Sequence, residues 1–195
     1  MHSQMEKLAN EEELIASAKQ DEQAFTVLYD YYFPKIYAYV FRRLGCHDDA
    51  EDVVSEVFLK VFSNLGKYQN RGFSFGAWLY RIATNCLIDR GRRQKHFAVT
   101  VESEELDRNP APGAEADGVA RKTFDRLAIE KVFLTLPVRY KEVICLRYFA
   151  DLEIHEIAVN MNISENNASV LLHRALEAFK KKSSDSGVKF FCFLF

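Results

Sequence analysis

Apolar residues recur at helical spacing along most of this chain. Between residues 11 and 44 the run Leu14, Ile15, Ala18, then Phe25, Leu28, Tyr29, Tyr32, then Ile36, Tyr39, Val40, Leu44 predicts two or three helices. Pro34 falls inside that stretch, where a ring without an N–H kinks a helix or opens a new one. Gly45 is a stop signal. The sharpest period follows: Ala50, Val53, Val54, Val57, Phe58, Val61, Phe62 and Leu65 form one apolar stripe, opposite Glu51, Asp52, Ser55, Glu56, Lys60 and Asn64. Asp48 or Asp49 is expected to cap this helix and Gly66 to end it. A further helix is expected from about residue 75 to about residue 92.

Beyond residue 97 the pattern breaks. Glu102, Glu104, Glu105, Asp107, Glu115 and Asp117 stand against a single Arg108, and Pro110, Pro112 and Gly113 interrupt any period, which predicts an extended acidic linker. Helical spacing returns with Leu127, Ile129, Val132, Phe133 and Leu136, and Pro137 opens another helix through Val143, Ile144, Leu146 and Phe149. Then a short helix holding Ile154, Ile157 and Ala158 is followed by a four-residue break, residues 161–164, and a longer helix from Glu165 to about Lys182 with Ser164 as N-cap. Two helices joined so tightly predict a helix-turn-helix. The fold class expected is all-α: two small helical domains joined by an extended acidic linker. The organisation expected is residues 1–97, linker 98–123, second domain 124–182 and an apolar tail 183–195.

Composition narrows the function. The 195 residues are 48% hydrophobic and 28% charged with a net charge of −2, so any nucleic-acid surface must be local and balanced by acid elsewhere. Cys46, Cys86, Cys145 and Cys192 are scattered, without metal-ligand spacing, which suits a reducing cytoplasm better than a disulfide framework. No metal and no cofactor is expected. The polar, acidic N-terminus does not read as a signal peptide, and no apolar run approaches the ~20 residues of a membrane span. No Ser/His/Asp or Cys/His set, glycine-rich phosphate loop or HExxH stands out, so the chain is not expected to be an enzyme. Mechanism here must therefore mean binding.

Three constellations carry candidate chemistry. Asp52 and Glu56, four residues apart, point to one side of their helix, either as a solvated face or as a docking surface for a basic partner. The stretch FSFGAWLYRIATNCLIDRGRRQKH, residues 73–96, runs from aromatics into four cations within six positions: Arg90, Arg92, Arg93 and Lys95. Aromatics stack on unpaired bases and cations hold the adjoining phosphates, which suggests capture of single-stranded nucleic acid. Phe73, Phe75, Trp78 and Tyr80 cannot all face one core, since Trp78 and Tyr80 lie about 200° apart on a helix. The plain alternative makes Trp78 and Ile82 core and the arginines surface charge. Third, the recognition helix offers Asn166, Asn167, His173 and Arg174 to base edges, but also Glu165, which repels phosphate.

Together these segments resemble a bacterial RNA polymerase sigma factor of the extracytoplasmic-function (ECF) group, over roughly residues 21–182. DDAEDVVSEVFLKVF resembles the region-two helix that docks on the clamp helices of the polymerase β′ subunit, FSFGAWLYRIATNCLIDRGRR the melting and minus-ten segment, and LPVRYKEVICLRYFADLEIHEIAVNMNISENNASVLLHRALEAFKK region four, which reads the minus-thirty-five element. The resemblance implies polymerase contacts at Asp52, Ser55 and Glu56, with Ser55 standing where the family often has Gln. It implies a flipped-base pocket in the loop 67–75, including Asn70, Phe73 and Phe75, with Asn85 reading bases nearby. Trp78, Tyr80 and Arg81 would brace the melted junction, and Arg90, Arg92 and Arg93 would grip phosphates. Minus-thirty-five contacts would fall to Asn166, Asn167, Ser169, His173 and Arg174. Ser169, Val170 and Leu171 replace a basic residue, a Ser and an Arg common in relatives, so recognition is expected to be weighted toward the minus-ten half.

Implied partners are core RNA polymerase (β′ clamp helices and β flap), promoter DNA including the single-stranded non-template strand, and an anti-sigma factor, all in the cytoplasm. The acidic linker would thread the polymerase cleft and RNA exit channel, or act as a plain tether. The tail Phe190, Phe191, Phe193, Leu194 and Phe195 would pack on the last domain, meet a partner or self-associate. The rival functions are a stand-alone helix-turn-helix regulator of duplex DNA, and a sigma-derived polymerase-interaction protein that no longer reads DNA.

Overall fold

The computed structural model describes residues 8, 10–70, 72–100, 129 and 131–185, with backbone alone for 94–100. The structure is all-helical, as expected, and no strand occurs among the described residues. The chain divides into two compact units, one spanning Asn10–Pro112 and one containing Gly113–Phe195. Most of the expected acidic linker and the apolar tail lie outside the described residues.

In the first unit, α1 is Glu11–Ala18 and α2 is Glu22–Leu44, so the first run of apolar residues resolves into two helices. Asp21 caps α2, its Oδ1 accepting the Gln23 N–H at 2.9 Å. Gly45, at φ 71°, ends α2 in the left-handed conformation that glycine adopts without strain. Pro34 neither opens a helix nor ends one: α2 runs through it. The ring removes one backbone hydrogen bond, but Leu28, Tyr32, Ile36, Tyr39 and Val40 are all buried on either side. Their burial, at ~1.5–3 kcal/mol per large side chain, outweighs the ~3 kcal/mol cost of an internal proline.

Helix α3, His47–Leu65, buries the predicted stripe except Phe62, which is largely exposed and meets Phe25 edge-on at 5.0 Å. Its N-cap is Cys46 rather than Asp48 or Asp49. Those two carboxylates sit in the first turn, where they favour the helix dipole. Helix α4, Phe75–Thr100, is opened by Ser74, whose Oγ accepts the Ala77 N–H at 3.2 Å. It runs on past the expected end near residue 92, because a basic cluster, unlike Pro, does not interrupt the backbone ladder. Helix α2 packs on α1, α3 and α4, and α3 packs on α4. Across the α2–α4 seam the buried Tyr39 hydroxyl meets Thr84 Oγ1 at 2.8 Å.

In the second unit a helical turn over 131–134 precedes α5 (Val138–Tyr148), α6 (Ile154–Met161) and α7 (Glu165–Asp185). Pro137 is the N-cap of α5. Phe133 and Phe179 meet edge-on at 6.0 Å in a core shared with Ile129, Leu136, Ile144, Leu146, Ile157 and Ala175. The carboxylate of Glu156 accepts the Glu153 N–H at 3.1 Å and so closes the start of α6. Asn162, at φ 54°, ends α6, and Ser164 Oγ accepts the Asn167 N–H at 3.3 Å to begin α7. The expected helix-turn-helix is present, with Asn162 supplying the left-handed residue of its turn.

Candidate nucleic-acid interface

Two side chains expected on the binding surface belong to the core. Phe75 and Tyr80 are each only 2% exposed. Phe75 packs against Tyr32 at 5.5 Å and Tyr68 at 5.2 Å, while Tyr80 meets Tyr39 edge-on at 5.2 Å. Neither offers a ring face to a base. The cause is α2, which covers that side of α4 with tyrosines. The aromatic left at the rim is Trp78, half-buried against Tyr68 at 4.9 Å and Phe75 at 5.4 Å. Ile82, like Trp78, is half-buried rather than fully core.

Trp78, Ile82, Asn85 and Asp89 follow one another at helical spacing on α4. They form one wall of a groove of about 410 Å³ whose other wall is Lys60, Asn64, Lys67 and Tyr68. Of the predicted residues, the groove brings together Trp78 and Asn85. Lys60, Asn64, Lys67 and Tyr68 were not predicted individually. Lys67 and Tyr68 fall within the loop 67–75 that the family resemblance marks as the flipped-base pocket, whereas the only sequence signal for Lys60 and Asn64 was their place on the polar face of α3. Arg81 is exposed and Phe73 half-exposed, and neither lines the groove. Asn70 is exposed and turned toward α1: its Nδ2 donates to Glu12 Oε1 at 3.2 Å and its Oδ1 accepts the Gly72 N–H at 3.0 Å.

The basic cluster and the acidic face of α3 are joined. Arg90 is paired with Asp49 and lies 3.9 Å from Asp52. Arg93 meets Glu56 at 3.2 Å, and Lys60 meets the same carboxylate at 2.8 Å. Arg92 lies 3.8 Å from Asp89. The Lys60 hydrogen bond, aided by Arg93, holds the Glu56 carboxyl below the usual carboxylate range, and Lys60 is raised in return. Asp52, with a side chain 76% exposed, and the exposed Ser55 are presented outward. The two surfaces expected to bind different partners thus share ion pairs.

On α7 the residues Asn166, Asn167, Ser169, His173 and Arg174 are all exposed. His173 lies 3.5 Å from Glu177. Val170, 41% exposed, stands among them as an apolar group. Among the described residues no group of His, Cys, Asp and Glu could hold a metal ion, and no helix is long and apolar enough to cross a membrane.

Comparison with known proteins places both units. Residues 28–97 match the family model "Sigma-70 region 2" and residues 126–179 match "Sigma-70, region 4". The ECF RNA polymerase sigma factor SigW of Bacillus subtilis is 34% identical over 175 residues, covering 86% of this chain and 92% of SigW. BldN of Streptomyces coelicolor, also an ECF sigma factor, is 30% identical over 174 residues, covering 89% of this chain and 66% of BldN. Among solved structures, the sigma factor RpoE of Bartonella quintana, co-crystallised with the anti-sigma factor NepR, shares the fold with a TM-score of 0.63 at 19% identity, over 82% of this chain and 96% of that one. Helix-turn-helix, amphipathic α3 and aromatic-to-basic α4 thus belong to a known family: this chain is a member of the ECF RNA polymerase sigma factors, which direct RNA polymerase to promoters.

Proposed function

We propose that the groove between α3 and α4 captures an unpaired base of the minus-ten non-template strand while α3 docks on core polymerase. The observation that carries this reading is the lining of the groove: a half-buried indole and a carboxamide, Trp78 and Asn85, set between two lysines, Lys60 and Lys67. An indole stacks on any base, an amide discriminates base edges, and the Lys67 ammonium holds a flanking phosphate, joined by Lys60 once it leaves Glu56. Unstacking a base costs a few kcal/mol and stacking on an aromatic returns ~1–3 kcal/mol. Phosphate contacts from Arg90, Arg92 and Arg93, together with polymerase binding, supply the remainder, so the isolated chain melts little DNA. Arg81 braces the junction from the exposed side of α4.

Docking falls to Asp52, Ser55 and Glu56, facing cationic side chains of the β′ clamp. The units themselves divide the work: residues 1–97 dock and capture the strand, and residues 124–182 contact the β flap and the minus-thirty-five element through Asn166, Asn167, Ser169, His173 and Arg174. That helix presents one Arg and one exposed Val among its base-facing candidates, which supports recognition weighted toward the minus-ten half. An anti-sigma factor is proposed as a further partner, in keeping with the family and with the Bartonella relative's co-crystallised partner. The chain acts by binding, without a catalytic step, in the cytoplasm.

The test is run-off transcription and single-strand capture by reconstituted holoenzyme. Trp78→Ala and Asn85→Ala are expected to lower capture of a minus-ten oligonucleotide at least tenfold, with core binding unchanged. Wild-type capture by both variants would overturn the groove reading. Strong base-specific protection at the upstream element would overturn the minus-ten weighting.

A further inference from the structure

The loop between α3 and α4 has α1 on the side away from the groove. Tyr68 is its centre: the ring is buried, meets Phe75 at 5.2 Å and Trp78 at 4.9 Å, and lines the groove. From the other side Lys19, which caps the C-terminus of α1, donates from Nζ to the Tyr68 carbonyl at 2.9 Å. Seven residues earlier, on the same side of the helix, Glu12 accepts from Asn70 Nδ2 at 3.2 Å. Asn70 passes that hold on, its Oδ1 accepting the N–H of Gly72 at 3.0 Å. Gly72 has φ +86°, a backbone conformation that L side chains rarely adopt. Helix α1 is itself anchored by the buried Ile15 and Ala18 and by Glu11, which accepts from the Tyr32 hydroxyl.

We infer that α1 positions the strand-capture groove: Lys19 and Glu12 hold the loop from opposite ends of α1, and the Tyr68 ring thereby keeps Trp78 turned toward the groove. Asn70 is a positioning residue and not a reader of bases, because its amide and its carbonyl oxygen both serve the loop. Glu11 and Glu12 also put negative charge on the side of the loop remote from Lys60 and Lys67, which steers a phosphate backbone to the lysine side. The inference rests on the groove being the strand-capture site.

The chain contains a single tryptophan, Trp78, so its fluorescence reports the loop without any added label. Glu12→Ala with Lys19→Met is expected to raise acrylamide quenching of Trp78 about twofold. It is also expected to lower holoenzyme capture of a single-stranded minus-ten oligonucleotide about fivefold, equivalent to ~1 kcal/mol, with affinity for core polymerase unchanged. Glu13→Ala removes the same first-turn charge without a loop contact and is expected to move neither readout. Restoring the donor as Lys19→Arg is expected to recover most of the capture lost in Lys19→Met. Unchanged quenching in the double variant, or increased quenching with wild-type capture, overturns the inference. Trp78→Ala measured alongside separates the two ideas: wild-type capture by that variant overturns the groove reading itself, whatever the quenching shows about the loop.

Discussion

Tyr39 shows how single atoms tie this fold together. Its ring is fully buried, and its hydroxyl bonds Thr84 on α4 at 2.8 Å and receives Arg43 NH1 at 3.2 Å. Tyr39→Phe keeps the packing but leaves the buried Thr84 without this partner, at a cost of ~1–3 kcal/mol. Urea denaturation should show a lower midpoint with unchanged slope, and a loss below ~0.5 kcal/mol would contradict the assignment. Gly91 is the opposite case. It lies inside α4, and a Cβ built there meets nothing within 4 Å. Gly91→Ala should therefore raise stability by ~0.5–1 kcal/mol through helix propensity alone, a change readable as a higher thermal midpoint. At this scale the sequence was only partly legible. Helical period separates Trp78 from Tyr80 by about 200° and so requires that they face different surroundings. It cannot say which of them meets protein, because that depends on Tyr39 lying across Tyr80, a contact between residues far apart in the chain.

At the scale of elements, periodicity was the reliable guide and termini were not. The α3 stripe is the buried face almost residue for residue, since a 3.6-residue repeat reflects one continuous neighbouring surface. Its start moved back to Cys46, and α4 outran its basic cluster, because backbone continuity depends on local torsions that charge alone does not break. Fully illegible were the ion pairs that join the two helices, Arg90 with Asp49 and Arg93 with Glu56, separated by 41 and 37 residues. Their energetics are testable by pH. The Glu56 carboxyl titrates below its unfolded range, so its pairing stabilises the fold at neutral pH and is lost as pH falls through the folded value. The stability difference between wild type and Glu56→Gln, expected at ~0.3–1 kcal/mol near pH 7 for partly exposed pairs, should shrink toward zero below about pH 4. A difference that persisted into acid would mean that Glu56 acts through packing.

For the whole molecule, the proposed function makes the same ion pairs a control on how tightly the free chain would hold DNA. With 26 basic and 28 acidic residues, long-range attraction to a polyanion is weak. What attraction exists is local, and Arg90 and Arg93 are already committed to carboxylates. If α3 docks through Glu56 as proposed, a cationic surface of polymerase would compete with Arg93 for that carboxylate and release the guanidinium to a phosphate, so that docking and strand capture would reinforce one another. Neutralising the carboxylates should imitate that release without polymerase. Asp49→Asn with Glu56→Gln is expected to tighten binding of the isolated chain to single-stranded DNA several-fold at low salt. It should also steepen the dependence of log K on log salt by ~0.7 for each cation freed, or roughly 2.1 for Arg90, Arg93 and Lys60 together. Fluorescence anisotropy across a salt series measures both. An unchanged slope would show that these arginines reach phosphate despite their carboxylate partners, and the link between docking and capture would then have to lie elsewhere than in the α3–α4 pairs.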